Sequence, residues 1–397
     1  MQRASDFKQS TDPKQEQICL AEAILGLVCS PRGHPEIYER LLEKCQHFHG
    51  WEMMPDRAEM HGLGPLLYQH IQDAGVMPPA SSRRALQGLY LRHRHANAVR
   101  EQVLGEIVSA YASAGIQVLV LKGAALAHLV YPQPGLRPMR DIDLLVPEHQ
   151  ALAAQNILAD LGFDISHDPS QPLTARFHHL QSARRKEQGL TVSVEVHYRL
   201  LPKMIYYPPL EYEDLCEESI PVRFKGFTAN TLGLERMLWH VYRHACGPPL
   251  LSTPLRYIHV ADMVGIVDRF YDRLDWELIQ RRYPQLLHIM PPIHCLTPWS
   301  QYVQDYCPSI AGTHFKRAGC DYQGWPRKRL KSGVSLKELL KETLCPGEWW
   351  VRIFYGVHGK VSIFWYYLIR HPLHLFECVT YRTLKKLQGD LKRRRQR

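Results

Sequence analysis

The chain has 397 residues and a mass of 46.0 kDa, with 45% hydrophobic and 22% charged residues. This is ordinary globular composition with room for two or three domains, which excludes a disordered chain or a disulfide-stapled miniprotein. A formal net charge of +10 and a pI near 9.1 suit an anionic partner such as a nucleotide, a nucleic acid or a lipid surface, without deciding the fold.

The N-terminal "MQRASDFKQSTDPKQEQ" is polar and lacks the apolar core of a signal peptide. From about residue 15 to 114 the apolar spacing is helical, as in "EIYERLLEKCQHF" and "RALQGLYLRHRHANAVREQVLGEIVSAYASAG", with "GLGP" and "VMPPASS" as breaks. Gly115 stops the last of these helices, and "IQVLVL" (116–121) reads as a short buried strand. "KGAALAHLVY" turns out of it into a short helix, "YPQPGLRP" is a loop, and "DIDLLVP" is the next strand. A helix over "EHQALAAQNILADLGF" ends near Gly162, and "TVSVEVHYRL" (191–200) alternates as a strand does. "IPVRF" is a candidate edge strand, and helical spacing resumes at 231 with "LGLERMLWHVYRHA", "LRYIHVADMVGIVDRF" and "DWELIQRRY". A Pro- and Trp-rich segment from about 290 to 330 precedes the last helices, where Trp349, Trp350 and Trp365 are expected to fill a core.

The ten cysteines are scattered with no CxxC pair and read as reduced thiols of a cytoplasmic protein. The most apolar stretch, "VSIFWYYLIRHPLHLFECV", is interrupted by Arg370, His371, Pro372 and His374, so it does not span a bilayer. Its aromatic residues and the solvated basic tail "KKLQGDLKRRRQR" leave two readings open: peripheral membrane contact, or a helix buried on its own protein. The chain thus divides into an N-terminal helical region (1–114), an α/β core (115–230), a helical region packing on it (231–290) and a C-terminal helical region with the tail (291–397).

The chemistry concentrates in the α/β core. In "LRPMRDIDLLVP" Asp141 and Asp143 lie two apart, so in a strand both project to one face, and two anions that close need a cation. On "VEVHY", Glu195 and His197 share a face, and a strand placed beside the aspartates would add Glu195 to a three-carboxylate cluster. Divalent magnesium, or manganese, relieves the repulsion of such a cluster, and hard oxygen ligands favour both over zinc. At "VLVLKGAAL" a glycine at a strand-to-helix turn lets backbone N–H groups approach a phosphate, with Lys122 as a point charge and Arg137 and Arg140 as further phosphate partners.

The segments "VLVLKGAALAHLVYPQPGLRPMRDIDLLVP", "VEVHYRL" and "LWHVYRHA…LRYIHVADMVGIV…LDWELI" resemble a bacterial nucleotidyltransferase-like family of the DNA polymerase β-like superfamily. The resemblance covers roughly residues 20 to 290, with the Lys-Gly, Asp-x-Asp and Glu-x-His elements in the family's order. It implies an α+β fold whose core is a small mixed sheet flanked by helices, with magnesium at Asp141 and Asp143 and Glu195 as third carboxylate. It also implies a nucleotidyltransferase that moves a nucleoside monophosphate from an NTP, ATP included, to an acceptor hydroxyl and releases pyrophosphate. Catalysis would fall to Asp141, Asp143 and Glu195, and nucleotide binding to Lys122, Gly123, Arg137 and Arg140. The superfamily's turn carries Gly-Ser, whereas this chain has Gly123-Ala124 and a longer loop before the aspartates.

Plainer readings stand beside these. Asp141 and Asp143 as a solvent-facing pair would be salt-bridged to Arg137 or Arg140, Gly123 would only end a strand, and Glu195 would be an exposed strand residue. His197 reads as structural rather than as a ligand. His240 and His244 share a helix face as zinc ligands do, but without a third ligand or HExxH they point to packing or a substrate contact. The acceptor stays open among a small molecule, a peptide, a protein and an RNA, and the rival to an enzyme is an inactive accessory protein that docks a biosynthetic partner.

Overall fold

The computed structural model describes residues 13–165, 178–201, 210–246, 256–306, 330, 333–355, 360–377 and 379–380. The basic tail, the middle of the Pro-rich segment and the side chain of Trp349 lie outside the described residues.

The N-terminal region is helical as the spacing predicts: α1 (Pro13–Leu27), α2 (Pro35–Gln46), α3 (Met54–His61), α4 (Gly64–Asp73) and the 34-residue α5 (Ala80–Ser113). Helix α5 ends where Gly115 adopts φ +70°, a conformation only glycine takes without cost. Among the described residues seven strands follow: β1 (Leu119–Val120), β2 (Ile142–Leu145), β3 (Asp164–Ile165), β4 (Ala183–Glu187), β5 (Leu190–His197), β6 (Ile220–Arg223) and β7 (Thr228–Thr231). They form one mixed sheet in the order β3-β4-β5-β2-β1-β7-β6, in which β2/β5 and β1/β7 are parallel and the other pairs antiparallel. The α+β architecture with a small mixed sheet is therefore present, and "IPVRF" does supply the edge strand β6.

Three strands, β3, β4 and β7, fall outside the sequence expectation. Strand β4, "ARRKE", has almost no apolar residues, but Gln188 and Gly189 at φ +46° and +76° form a two-residue turn that folds it back onto β5. Two successive positive φ values suit the right-handed twist of such a hairpin, so turn chemistry rather than hydrophobic alternation makes this strand.

Helices cover both faces of the sheet. Ile142, Leu144, Val194 and Val196 pack on Val103, Ile107 and Tyr111 of α5 and on Ala154 and Leu158 of α7 (Ala151–Asp160). Leu119 and Leu145 point the other way, into the core built by α9 (Leu234–Ala245) and α10 (Tyr257–Phe270); the short α6 (Lys122–Leu129) and α8 (Tyr212–Glu217) lie between these elements in the chain. Because alternate residues of a strand face opposite ways, Asp143 shares its face with Leu145, toward α9 and α10.

Beyond α10 come α11 (Trp276–Arg282), α12 (Pro284–Leu296) and α13 (Gln301–Tyr306). The start of the Pro-rich segment is thus helical despite Pro291 and Pro292 inside α12, whose buried Leu286, Ile289, Met290 and Ile293 anchor it to the core. Of the tryptophans expected in a core, Trp350 is buried, but Trp365 is 56% exposed and the expectation fails there.

Candidate active site

The site begins where β1 leaves the sheet. The Leu121 amide donates to the Asp143 carbonyl at 2.9 Å, and the next residue, Lys122, turns the chain into α6 with φ +40°. A left-handed lysine costs about 1–2 kcal/mol, and its ammonium is anchored 3.4 Å from Asp143 Oδ1. The strained backbone therefore sits on Lys122, not on the neighbouring glycine. Gly123 answers a different need: a Cβ there would lie 2.6 Å from Arg137 Nη1 and 3.0 Å from Met139 Cγ. Gly123→Ala should push Arg137 off its partners and destabilise the protein by about 1–3 kcal/mol, read from the urea midpoint; an unchanged midpoint would show that the turn has slack.

Strands β2 and β5 run side by side in parallel with Asp143 directly beside Glu195 and Leu145 beside His197. Asp141 lies one residue before β2 and is half-buried. Asp143 is buried, and its Oδ1 accepts a hydrogen bond from His197 Nε2 at 2.9 Å. Glu195 Oε1 accepts from Ser182 Oγ at 2.8 Å, while its Oε2 lies 3.8 Å from His197 Nε2. One ligand atom each from Asp143, Glu195 and His197 falls within 4.8 Å of the others, a group that could hold a metal ion.

Electrostatics separate the two aspartates. Burial would raise Asp143, but the Lys122 charge and the His197 hydrogen bond outweigh it and hold the carboxyl well below its usual range. Asp141 moves up instead, through burial and then the neighbouring Asp143 charge, with Lys122 opposing. Asp143 thus stays ionised at pH values where Asp141 has already taken up a proton.

His197 is fully buried, and among the described residues no partner meets its Nδ1. Since Nε2 faces a carboxylate it carries the proton, leaving Nδ1 as a bare lone pair. Moving the proton to Nδ1, as metal ligation through Nε2 requires, would bury an unpaired N–H at a cost of about 1–3 kcal/mol. The geometry therefore favours His197 as the group that orients Asp143, in keeping with the structural reading of the sequence.

Other sequence-selected residues are distributed unevenly. Arg140 is exposed on the loop before β2. Arg137, expected at a phosphate from the sequence, is engaged by protein partners in this structure. Its Nε and Nη2 bind Asp262 Oδ1 and Oδ2 at 3.1 and 2.6 Å, and Nη1 donates to the Pro138 carbonyl at 3.0 Å. The Tyr131 hydroxyl completes this buried knot by donating to Asp262 Oδ1 at 2.7 Å. His240 on α9 is buried, and the charges of Lys122 and Asp143 reach both it and His244. Burial and Lys122 press His244 down to about 3.

Sequence reasoning missed His178, His179, Asp262 and Arg256. The two histidines meet the end of β5, with ring centroids 5.2 and 5.1 Å from His197, and burial lowers His178 to about 2. Arg256 is pinned through Nε to the Met60 carbonyl at 3.1 Å, and after burial the Arg140 charge is the next force lowering it, so the two cations act on one another. Asp262 had a legible signal: a lone acid in "HVADMVGIV", an apolar helix whose charge requires a buried partner.

Residues 49–287 match the family described as uncharacterised nucleotidyltransferase. The chain belongs to that family. The matched span runs from before α3 to α12 and contains every residue of the acidic group. Among solved structures the chain is similar to the antibiotic-resistance factor ANT(2'')-Ia, at 15% identity over 48% of this chain and 97% of that chain. The TM-score is 0.31, too loose a superposition to carry residue roles across. No curated protein matches. Family membership and the possible acidic metal site together support a nucleotidyl-transfer function.

Proposed function

We propose that the protein transfers a nucleoside monophosphate from an NTP to an acceptor hydroxyl with release of pyrophosphate, using divalent magnesium or manganese. The observation that carries this reading is the parallel register that sets Asp143 against Glu195, with Lys122 and His197 both on Asp143 Oδ1. The donors that the fold gathers, carboxylate oxygens of Asp143 and Glu195 beside a His197 nitrogen, suit a hard divalent cation, with Asp141 two residues before Asp143 as a further carboxylate, and no described cysteine joins the group. When bound, such an ion neutralises charge on the transferring phosphoryl group and makes the acceptor hydroxyl easier to deprotonate.

The chain's own groups divide the remaining work. Asp143, kept ionised by Lys122 and oriented by His197, is the fixed anion of the site. Glu195, held by Ser182, is placed to ligate the ion or to take the acceptor proton. Lys122, Arg140 and the Gly123 amide at the start of α6 are the phosphate-binding groups, and Arg256 takes the place first assigned to Arg137. The imidazoles of His178, His240 and His244, held neutral by burial and nearby cations, form a hydrogen-bonding wall on the acceptor side. The acceptor is a hydroxyl on a small molecule, a peptide, a protein or an RNA.

Ala124, 4% exposed where the superfamily has a serine, favours the second reading, an inactive accessory protein that keeps the fold. Calorimetric titration with non-hydrolysable ATP, GTP, CTP and UTP analogues, with and without magnesium, separates the two. Magnesium-dependent binding that disappears in the Asp141→Asn/Asp143→Asn variant is expected. A folded wild type that binds none of the four would move the assignment to the accessory role.

A further inference from the structure

Ten of the eighteen large hydrophobic side chains exposed among the described residues lie between Leu336 and Val379, outside the span of the family match. The last helix begins at Lys360–Trp365, passes through a π turn at Tyr366–Arg370 and continues to residue 377. Phe364, Trp365, Leu368, Leu373, Phe376 and Val379 are each between 52% and 69% exposed. The π turn takes up about one extra residue, and this brings Phe376 and Val379 into line with Phe364 and Leu368 instead of letting the stripe wind away.

The opposite side of the helix is the one that is occupied. His371 and His374 are fully buried, the Tyr355 hydroxyl lies 3.1 and 2.8 Å from their Nδ1 atoms, and His371 Nε2 meets the Thr343 carbonyl at 2.7 Å. His374 also stacks on Phe354 with ring centroids 4.9 Å apart. This polar and aromatic clasp fixes the rotation of the helix and turns the apolar face outward. An apolar patch of this kind calls for a partner.

We infer that this face docks on an anionic phospholipid surface, with the helix lying in the plane of the headgroups. Two observations select that occupant. No helix among the described residues is long and apolar enough to cross a membrane, so the face can be buried only along the surface. The sequence that follows, Arg382 to Arg397, carries eight Lys and Arg residues against the single acid Asp390. A cationic segment next to an apolar helix face complements anionic headgroups. A second copy of the chain would instead bring two cationic segments together. Trp365 at the start of the face is a residue type that favours the headgroup layer.

The test is flotation of the full chain with vesicles of mixed phosphatidylglycerol and phosphatidylcholine, or of phosphatidylcholine alone, at low and high salt. Wild type should float with the anionic vesicles only, and high salt should release it. Trp365→Ser/Phe376→Ser changes two exposed residues and should lose flotation while keeping the wild-type near-ultraviolet dichroism. Arg393→Ala/Arg394→Ala/Arg395→Ala should bind roughly a hundredfold more weakly, about fivefold per basic residue. Asp143→Asn should float as wild type does, which separates this inference from the nucleotidyl-transfer reading. Failure of folded wild type to float, or flotation that neither multiple variant reduces, would overturn it. So would a wild-type dimer that Trp365→Ser/Phe376→Ser converts to monomer, because the face would then belong to a second copy.

Discussion

Asp143→Asn is expected to reduce nucleotidyl transfer by on the order of a thousandfold or more, with cooperative unfolding close to that of wild type. The two outcomes separate because Asn is nearly isosteric. Its side-chain carbonyl still accepts the hydrogen bond that His197 Nε2 donates at 2.9 Å, so no buried donor is orphaned. Lys122, already partly solvated with 16% of its side chain exposed, loses an ion pair but keeps access to water. What disappears is the negative charge, and with it the group that would hold a divalent ion beside Glu195. Metal titration followed by calorimetry, together with turnover assays, reads both effects. A variant that turns over at the wild-type rate would sink the assignment of Asp143 to catalysis.

Arg137→Ala should destabilise the protein by about 3–5 kcal/mol, because it leaves Asp262 as a buried charge with the Tyr131 hydroxyl and, at 4.0 Å, His259 Nδ1 in place of the guanidinium. Burial acts against the Arg137 cation, yet the Asp262 carboxylate more than compensates and the guanidinium stays charged at any accessible pH. Replacing both partners, as in Arg137→Met/Asp262→Leu, should recover much of the loss, since neither charge is then stranded. Urea denaturation of the two variants supplies the comparison. The alternative, Arg137 as a phosphate ligand, predicts the reverse pattern: wild-type stability with weakened nucleotide binding. The pair also ties the loop before Asp141 to α10, so the helical region after the sheet positions the acidic group as well as covering it.

Much of the candidate site is legible in the chain because strand periodicity is local. Asp141 and Asp143, two apart before an apolar run, and Glu195 and His197, two apart in an alternating strand, must each share a face wherever their strands go. Gly123 beside Lys122 marks the turn, although the physical reason lies in the approach of Arg137 and not in the glycine's own dihedral angles. The partner of Arg137 was hidden for a related reason. A loop arginine next to two aspartates resembles a phosphate ligand until its fork is seen to be taken by an acid 125 residues away.

By itself the sequence determined which residues share a face, where the helices stop and which segments are too interrupted to cross a membrane, since these follow from spacing, glycine and proline, and local polarity. Only the tertiary structure decided that β2 lies parallel to β5 with Asp143 against Glu195, that Asp262 claims Arg137, and that His178 and His179 meet the ring of His197. It alone turned Trp365 outward. Those outcomes depend on register and on long-range pairing of buried charges, whose energies arise between segments distant in the chain and leave no periodic trace within any one of them.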